Sequence, residues 1–152
     1  MRPLKHIIAS AILGIGFLLF VKPAWAGLIV FLTGIFIDLD HLVDFWALKP
    51  LLPFDIQDFL NAEKYDKQVK WIFVFFHSYE IIAGLWLWAV LGHWPIWPTA
   101  LAAGATLHMI LDIDNLKHPC KMHPLTYFLI FRIIKKFKKA NLSVDIRCQQ
   151  TN

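Results

Sequence analysis

Apolar positions along this chain come in long blocks, and the polar residues that interrupt them are mostly histidines and carboxylates. Nearly uncharged stretches run from Ile7 to Val21, Ala24 to Ile37, Trp71 to Trp94 and Pro98 to Leu111, the third broken by His77, Glu80 and His93. A membrane-crossing helix needs about 20 residues, so the first, second and fourth blocks must borrow their flanks. The first extends back through Pro3, the second onward through Asp38-Leu39-Asp40-His41, and the fourth through Asp112 to Asn115. Lys22-Pro23 and Gly92 to Pro98 then read as tight turns. The pattern predicts an all-α, polytopic membrane protein whose residues 1–116 form a four-helix transmembrane bundle of two hairpins. In residues 117–152 the stretch Pro124 to Lys139 is apolar first and then basic, as expected of a C-terminal amphipathic helix in the membrane interface. Pro50, Pro53 and Phe54 to Leu60 predict a bent interfacial connection between Ala47 and Lys70.

Composition strengthens the membrane reading. Hydrophobic residues make up 58% of the chain and charged ones 17%, against roughly 45–50% and about 25% in soluble domains. The charge distribution supplies an orientation. With four spans, Arg2, Lys5, the four lysines from Lys49 to Lys70 and everything basic from Lys117 onward share one side, leaving only Lys22 on the other. The positive-inside rule then makes both termini cytoplasmic. Trp46 and Trp71 fall near the inner boundary, and Trp25, Trp94 and Trp97 near the outer one. A rival reading takes the first block as a signal peptide cleaved after Ala24-Trp25-Ala26, but Lys22 and Pro23 interrupt it. Cys120 and Cys148 both fall on the reducing side, so no disulfide is expected. Lys135, Lys136, Lys138 and Lys139 point to anionic lipid as the partner; no aromatic platform or nucleic-acid-binding fold accompanies them. Arg132 is expected to snorkel to the surface, or else to reach a substrate phosphate.

Ionisable side chains in apolar spans are costly and mark sites. In the up-down path Asp38 to Asp44, His77 with Glu80, and His108 with Asp112 all fall at the cytoplasmic end of their helices. Helical phase agrees: His108, Asp112 and Asn115 share a face with Gly104 and Ala105, His77 shares one with Glu80 and Gly84, and His6 with Ser10 and Gly14. Small residues on those faces let helices approach. Asp38 and His41 lie on the Gly27 and Gly34 face, with Asp40 and Asp44 opposite, unless the helix unwinds there. Imidazole and carboxylate ligands suit a divalent metal: zinc first, manganese or iron as alternatives. The candidate ligands are His6, Asp40, His41, His77, His108 and Asp112. Glu80, one turn beyond His77, is the candidate general base or else another ligand, with Asp38 as a second catalytic carboxylate and either Asp38 or Asp40 as the partner orienting an imidazole. Ser78 reads as a packing hydroxyl, His93, Asp44 and Asp114 as solvated or capping groups, and His118-Pro-Cys120-Lys-Met-His123 as a polar loop.

The order Leu4-Lys5-His6, Asp38-Leu39-Asp40-His41, His77-Ser78 and His108-Met-Ile-Leu-Asp112 resembles the family of LexA-binding, inner-membrane-associated metal-dependent hydrolases over roughly the first 115 residues. The resemblance implies a metal-dependent hydrolase in a bacterial inner membrane. Ile37 stands where the family commonly has proline, and Ile72 to Phe76 replace most of a His-Arg-Gly-x-Thr-His-Ser stretch, so the resemblance is to a divergent branch in which Glu80 is expected to compensate. The expected function is hydrolysis at the cytoplasmic membrane face, of a phosphate ester or lipid-linked substrate. The alternatives are a metal or proton transporter, and a non-catalytic interaction protein whose polar groups only fix helix packing.

Overall fold

The apolar blocks fold as helices, with one informative exception. The computed structural model describes residues 3–48, 70–113 and 122–143. Their regular elements are α1 (Pro3–Phe20), α2 (Trp25–Phe36), a 3-10 turn (Ile37–Asp40), α3 (His41–Leu48), α4 (Tyr79–Leu91), α5 (Ile96–Ile113), a second 3-10 turn (Pro124–Tyr127), α6 (Leu129–Ile134) and α7 (Lys139–Leu142). Most of the predicted Ala47 to Lys70 connection, the boundary at 116, and Asp114, Asn115, His118, Cys120 and Cys148 lie outside the described residues.

The fold class is all-α. Among the described residues two stretches are long and apolar enough to cross a membrane, Trp25–Asp44 and Ile96–Ile113, while Leu4–Phe20 and Tyr79–Leu91 are apolar but shorter. The 13 residues of α4 rise only about 20 Å, short of a hydrocarbon layer of about 30 Å. The chain divides into two compact units, each discontinuous in sequence: residues 2–37 with 79–114, and residues 38–78 with 115–152.

The first unit is a helical assembly in which α5 packs against α1, α2 and α4, and α1 packs along α2. Missing side chains allow the backbones to touch. A Cβ on Gly14 would stand 2.8 Å from the Gly27 carbonyl oxygen, and one on Gly104 would stand 2.7 Å from that of Val30. Ala26, Val30 and Ala100 close the core where these helices meet. Trp86 Nε1 donates to Thr106 Oγ1 at 2.9 Å, tying α4 to α5. The polarity is inverted relative to a water-soluble bundle: His6, Ser10, His108 and Asp112 are buried, while Ile8, Ile12, Ile15 and Leu19 of α1 are exposed.

The second unit corrects two predictions. Trp71 to Ser78 was expected to begin the third span, yet no helix forms before Tyr79. The reason is competition for backbone groups. The amides of Phe73 and Phe76 donate to carboxylate oxygens of Asp44 (2.7 Å) and Asp40 (2.8 Å). The carbonyls of Phe73, Val74 and His77 accept from Arg132 at 2.8, 2.6 and 3.1 Å. Each bond to a charged partner is worth about 1.5–3 kcal/mol, enough to outbid helix formation in a segment rich in Ile, Val and Phe, which favour extended backbone. Upstream, the Ile72 amide donates to Phe137 O and the Lys139 amide to Lys70 O, both at 2.9 Å, so this stretch runs antiparallel to the C-terminal segment.

That segment is the second correction, because Pro124 to Lys139 is not one amphipathic helix. His123 Nδ1 caps the 3-10 turn by accepting from the Leu125 amide at 3.1 Å, and α6 runs only from Leu129 to Ile134. Lys136 and Phe137 then adopt left-handed backbone, both with φ 56°. The Phe137 amide turns back to the Arg132 carbonyl at 2.8 Å, which closes the helix end.

Candidate metal centre

The turn at Ile37–Asp40 leads into the second unit and decides which side chains meet there. A 3-10 helix advances fewer residues per turn than an α-helix, so four residues of it rephase the chain. The backbone tightens at the point where both aspartates could face inward only with a break in the helix. Asp38 and Asp40 then reach the same imidazole. His77 Nδ1 lies 3.0 Å from Asp40 Oδ1, and His77 Nε2 lies 3.3 Å from Asp38 Oδ1. His41 joins them, its Nε2 3.8 Å from Asp38 Oδ1, its Nδ1 3.9 Å from Asp44 Oδ2, and its ring centroid 4.8 Å from that of His77.

Proton counting gives this geometry its meaning. Carboxylates only accept, and a neutral imidazole carries one N–H. Asp40 is buried and already takes the Phe76 amide at 2.8 Å, so it is fixed in place to receive the Nδ1 proton of His77. The Nε2 lone pair then faces an oxygen of Asp38, and two acceptors 3.3 Å apart need a proton or a metal ion between them. Ligand bonds of about 2.1 Å in tetrahedral array place donor atoms about 3.4 Å apart, close to the His77–Asp38 and His41–Asp38 separations of 3.3 and 3.8 Å. One ligand atom each from Asp40, His41 and His77 also lie within 4.8 Å of one another. This buried His/Asp cluster could hold a metal ion.

The first unit holds a second polar cluster. His108 and Asp112, one turn apart on α5, have Nε2 and Oδ2 3.4 Å apart, and His6 Nε2 of α1 lies 3.4 Å from the other oxygen of Asp112. His108 Nδ1 is 2.8 Å from the Gly34 carbonyl, which fixes that nitrogen as the donor because a carbonyl can only accept. Again the Nε2 lone pair faces a carboxylate. The His6 and His108 rings are 4.3 Å apart. His6 Nδ1 and Ser10 Oγ are buried with no hydrogen-bond partner among the described residues. Buried polar atoms normally have partners, so these two are exceptions within the cluster.

The structure thus gathers Asp38, Asp40, His41 and His77 in one unit and His6, His108 and Asp112 in the other. Glu80 opens α4, half-buried, with His77 in the turn before that helix, so the two do not share a helical face as predicted. Asp44, expected to be solvated or capping, is 1% exposed and bonded to the Phe73 amide. Arg132, expected to snorkel or bind substrate, is 0% exposed and bonded to the segment that carries His77. Ser78 accepts from Arg132 at 2.5 Å and donates to Phe75 O at 2.5 Å, as suits a packing hydroxyl. The sequence did hold a signal for Arg132: an isolated charge inside Phe128-Leu-Ile-Phe-Arg-Ile-Ile134 needs partners.

Comparison with protein-family models, curated proteins and solved structures finds no match.

Proposed function

We propose that this protein is a membrane-embedded, metal-dependent hydrolase working at the cytoplasmic membrane face on a phosphate ester or lipid-linked substrate. The observation that carries the reading is His77, its Nδ1 directed at buried Asp40 and its Nε2 at Asp38. A buried carboxylate behind an imidazole is the usual way to fix a ligand's tautomer and raise its basicity. In this assignment Asp38, His41 and His77 hold the ion, with zinc the best match to the donor set, and Asp40 orients the ring. Within its own unit His108 is held in the same manner by the Gly34 carbonyl, which supports His6, His108 and Asp112 as candidate metal ligands there. When bound, a divalent ion in such a site polarises a phosphoryl or carbonyl oxygen and acidifies water near neutral pH. Glu80 remains the candidate base on chemical grounds alone.

The membrane setting is supported by the composition, the two span-length helices and the apolar outer face of α1. We infer that α1 and α4 complete a four-span bundle in a bacterial inner membrane, termini inward, because fourteen of the 15 basic residues then share the cytoplasmic side. The resemblance to LexA-binding, inner-membrane-associated hydrolases points the same way. Elemental analysis of detergent-purified protein tests the core of the proposal. The wild type should carry close to stoichiometric metal and His77→Ala should lose it. A metal-free wild type would leave only a packing network.

A further inference from the structure

Three lysines of the C-terminal segment gather around one opening. Ile134, Lys135, Lys136, Lys138, Ala140 and Asn141 line an open cavity of about 640 Å³. No ion pair links Lys135, Lys136 or Lys138 to a carboxylate among the described residues. Two of these ammonium groups sit over aromatic rings instead: Lys135 Nζ is 5.6 Å from the Phe131 centroid and Lys138 Nζ is 5.6 Å from that of Trp71. A ring face attracts a cation but leaves its charge uncompensated, so the cavity is a concentrated positive site.

The backbone that makes it is unusual. Lys136 and Phe137 are consecutive non-glycine residues with φ 56°, a left-handed conformation that such residues seldom adopt. It persists where surroundings over-determine it. Here the Phe137 ring packs 5.2 Å from Phe73 and 6.1 Å from Phe75, and Asn141 Nδ2 donates to the Lys135 carbonyl at 3.1 Å. The turn is therefore locked with all three lysines on one cavity. Ile134 of its lining is 68% exposed, and Ile130 and Ile133, four and one residues earlier on α6, are 63% and 54% exposed. A site for a free anion has no use for an apolar collar, whereas a phosphate group on acyl chains matches both features.

We propose that this cavity binds the phosphate headgroup of an anionic glycerophospholipid, with Lys135, Lys136 and Lys138 as the phosphate ligands and the three isoleucines against its chains. The site is independent of the metal reading, since none of these residues belongs to the metal cluster.

The test is calorimetric titration of chelator-treated, full-length protein in non-ionic detergent with short-chain phosphatidylglycerol, phosphatidylcholine or inorganic phosphate. Phosphatidylglycerol should bind at least tenfold more tightly than phosphatidylcholine. With each basic residue near anionic lipid worth about fivefold, the triple Lys→Gln variant should lose about 100-fold, and the triple Lys→Arg variant should retain binding. Equal affinity for the two lipids, or an unaffected Gln variant, would overturn the proposal. Inorganic phosphate binding as tightly as phosphatidylglycerol would also overturn it, by showing a plain anion site. Because the protein is metal-stripped throughout, a failed metal reading leaves this result unchanged.

Discussion

Arg132 grips the backbone of His77, its Nη2 donating to the His77 carbonyl at 3.1 Å, across 55 positions of sequence. The same guanidinium takes the carbonyls of Phe73 and Val74 and the Ser78 hydroxyl. On the other side, the segment's amides are held by Asp40 and Asp44. An imidazole set between two carboxylates keeps that geometry only on a rigid main chain. Residues 72–78 obtain that rigidity from charged side chains in place of a helix.

Arg132→Met should therefore destabilise the protein by about 3–5 kcal/mol, because several buried acceptors lose a charged donor at once. Arg132→Lys should fall between, since an ammonium keeps the charge but lacks the planar fork that reaches four acceptors. Thermal unfolding in detergent, followed by tryptophan fluorescence, gives the order wild type, Lys, Met. In the folded Lys variant metal affinity should drop about 10- to 100-fold, as for loss of a group that orients a ligand; an unchanged affinity would show that Arg132 serves stability alone.

Asp38 and Asp40 are two residues apart and touch the same ring, yet their variants should differ. Asp40→Asn removes the carboxylate that receives the Nδ1 proton, so metal should still bind, about 10- to 100-fold more weakly. Asp38→Asn removes a charged ligand at Nε2, and stoichiometric metal should be lost. Chelator competition on both variants decides the assignment, and the reverse order would exchange the two roles.

Much of this arrangement was legible in the sequence where local periodicity rules. His108, Asp112 and Gly104 share a face of α5, and His6 and Ser10 one of α1, because those helices are regular and a period of 3.6 residues can be counted. What failed was decided by distant partners. Nothing within Trp71 to Ser78 shows that Arg132 and two aspartates will claim its amides and carbonyls, so its apolar run read as a span. Asp38 and Asp40 stand on opposite faces of an unbroken helix, and periodicity does not show where a helix breaks; four residues of 3-10 turn remove the opposition. The length of α6 depended on where the Phe137 ring packs, which no residue near Lys136 announces.

The inferred topology predicts an accessibility pattern. After replacing Cys120 and Cys148 by serine, a single cysteine at His93, an exposed residue in the turn after α4, should react with a membrane-impermeant maleimide added to intact cells. A cysteine at Lys136, also exposed, should react only after the membrane is opened. Labelling of both from outside, or of Lys136→Cys alone, would defeat the proposed orientation.

Gly34 shows how the first unit's polar cluster depends on a missing methyl group. Its carbonyl fixes His108 at 2.8 Å, and a Cβ on Gly34 would overlap the Ser10 hydroxyl. Gly34→Ala should thus push α1 from α2 and cost about 1–3 kcal/mol, as overpacking does. Ser10→Gly alone removes a buried hydroxyl that has no hydrogen-bond partner among the described residues, but it also adds a helix glycine, at about 1 kcal/mol. If the clash is the cause, the double variant should be more stable than the sum of the two losses, with a coupling of about 1 kcal/mol or more in a thermal-melt cycle. Strict additivity would mean that Gly34 is required for its backbone and not for the room it leaves Ser10.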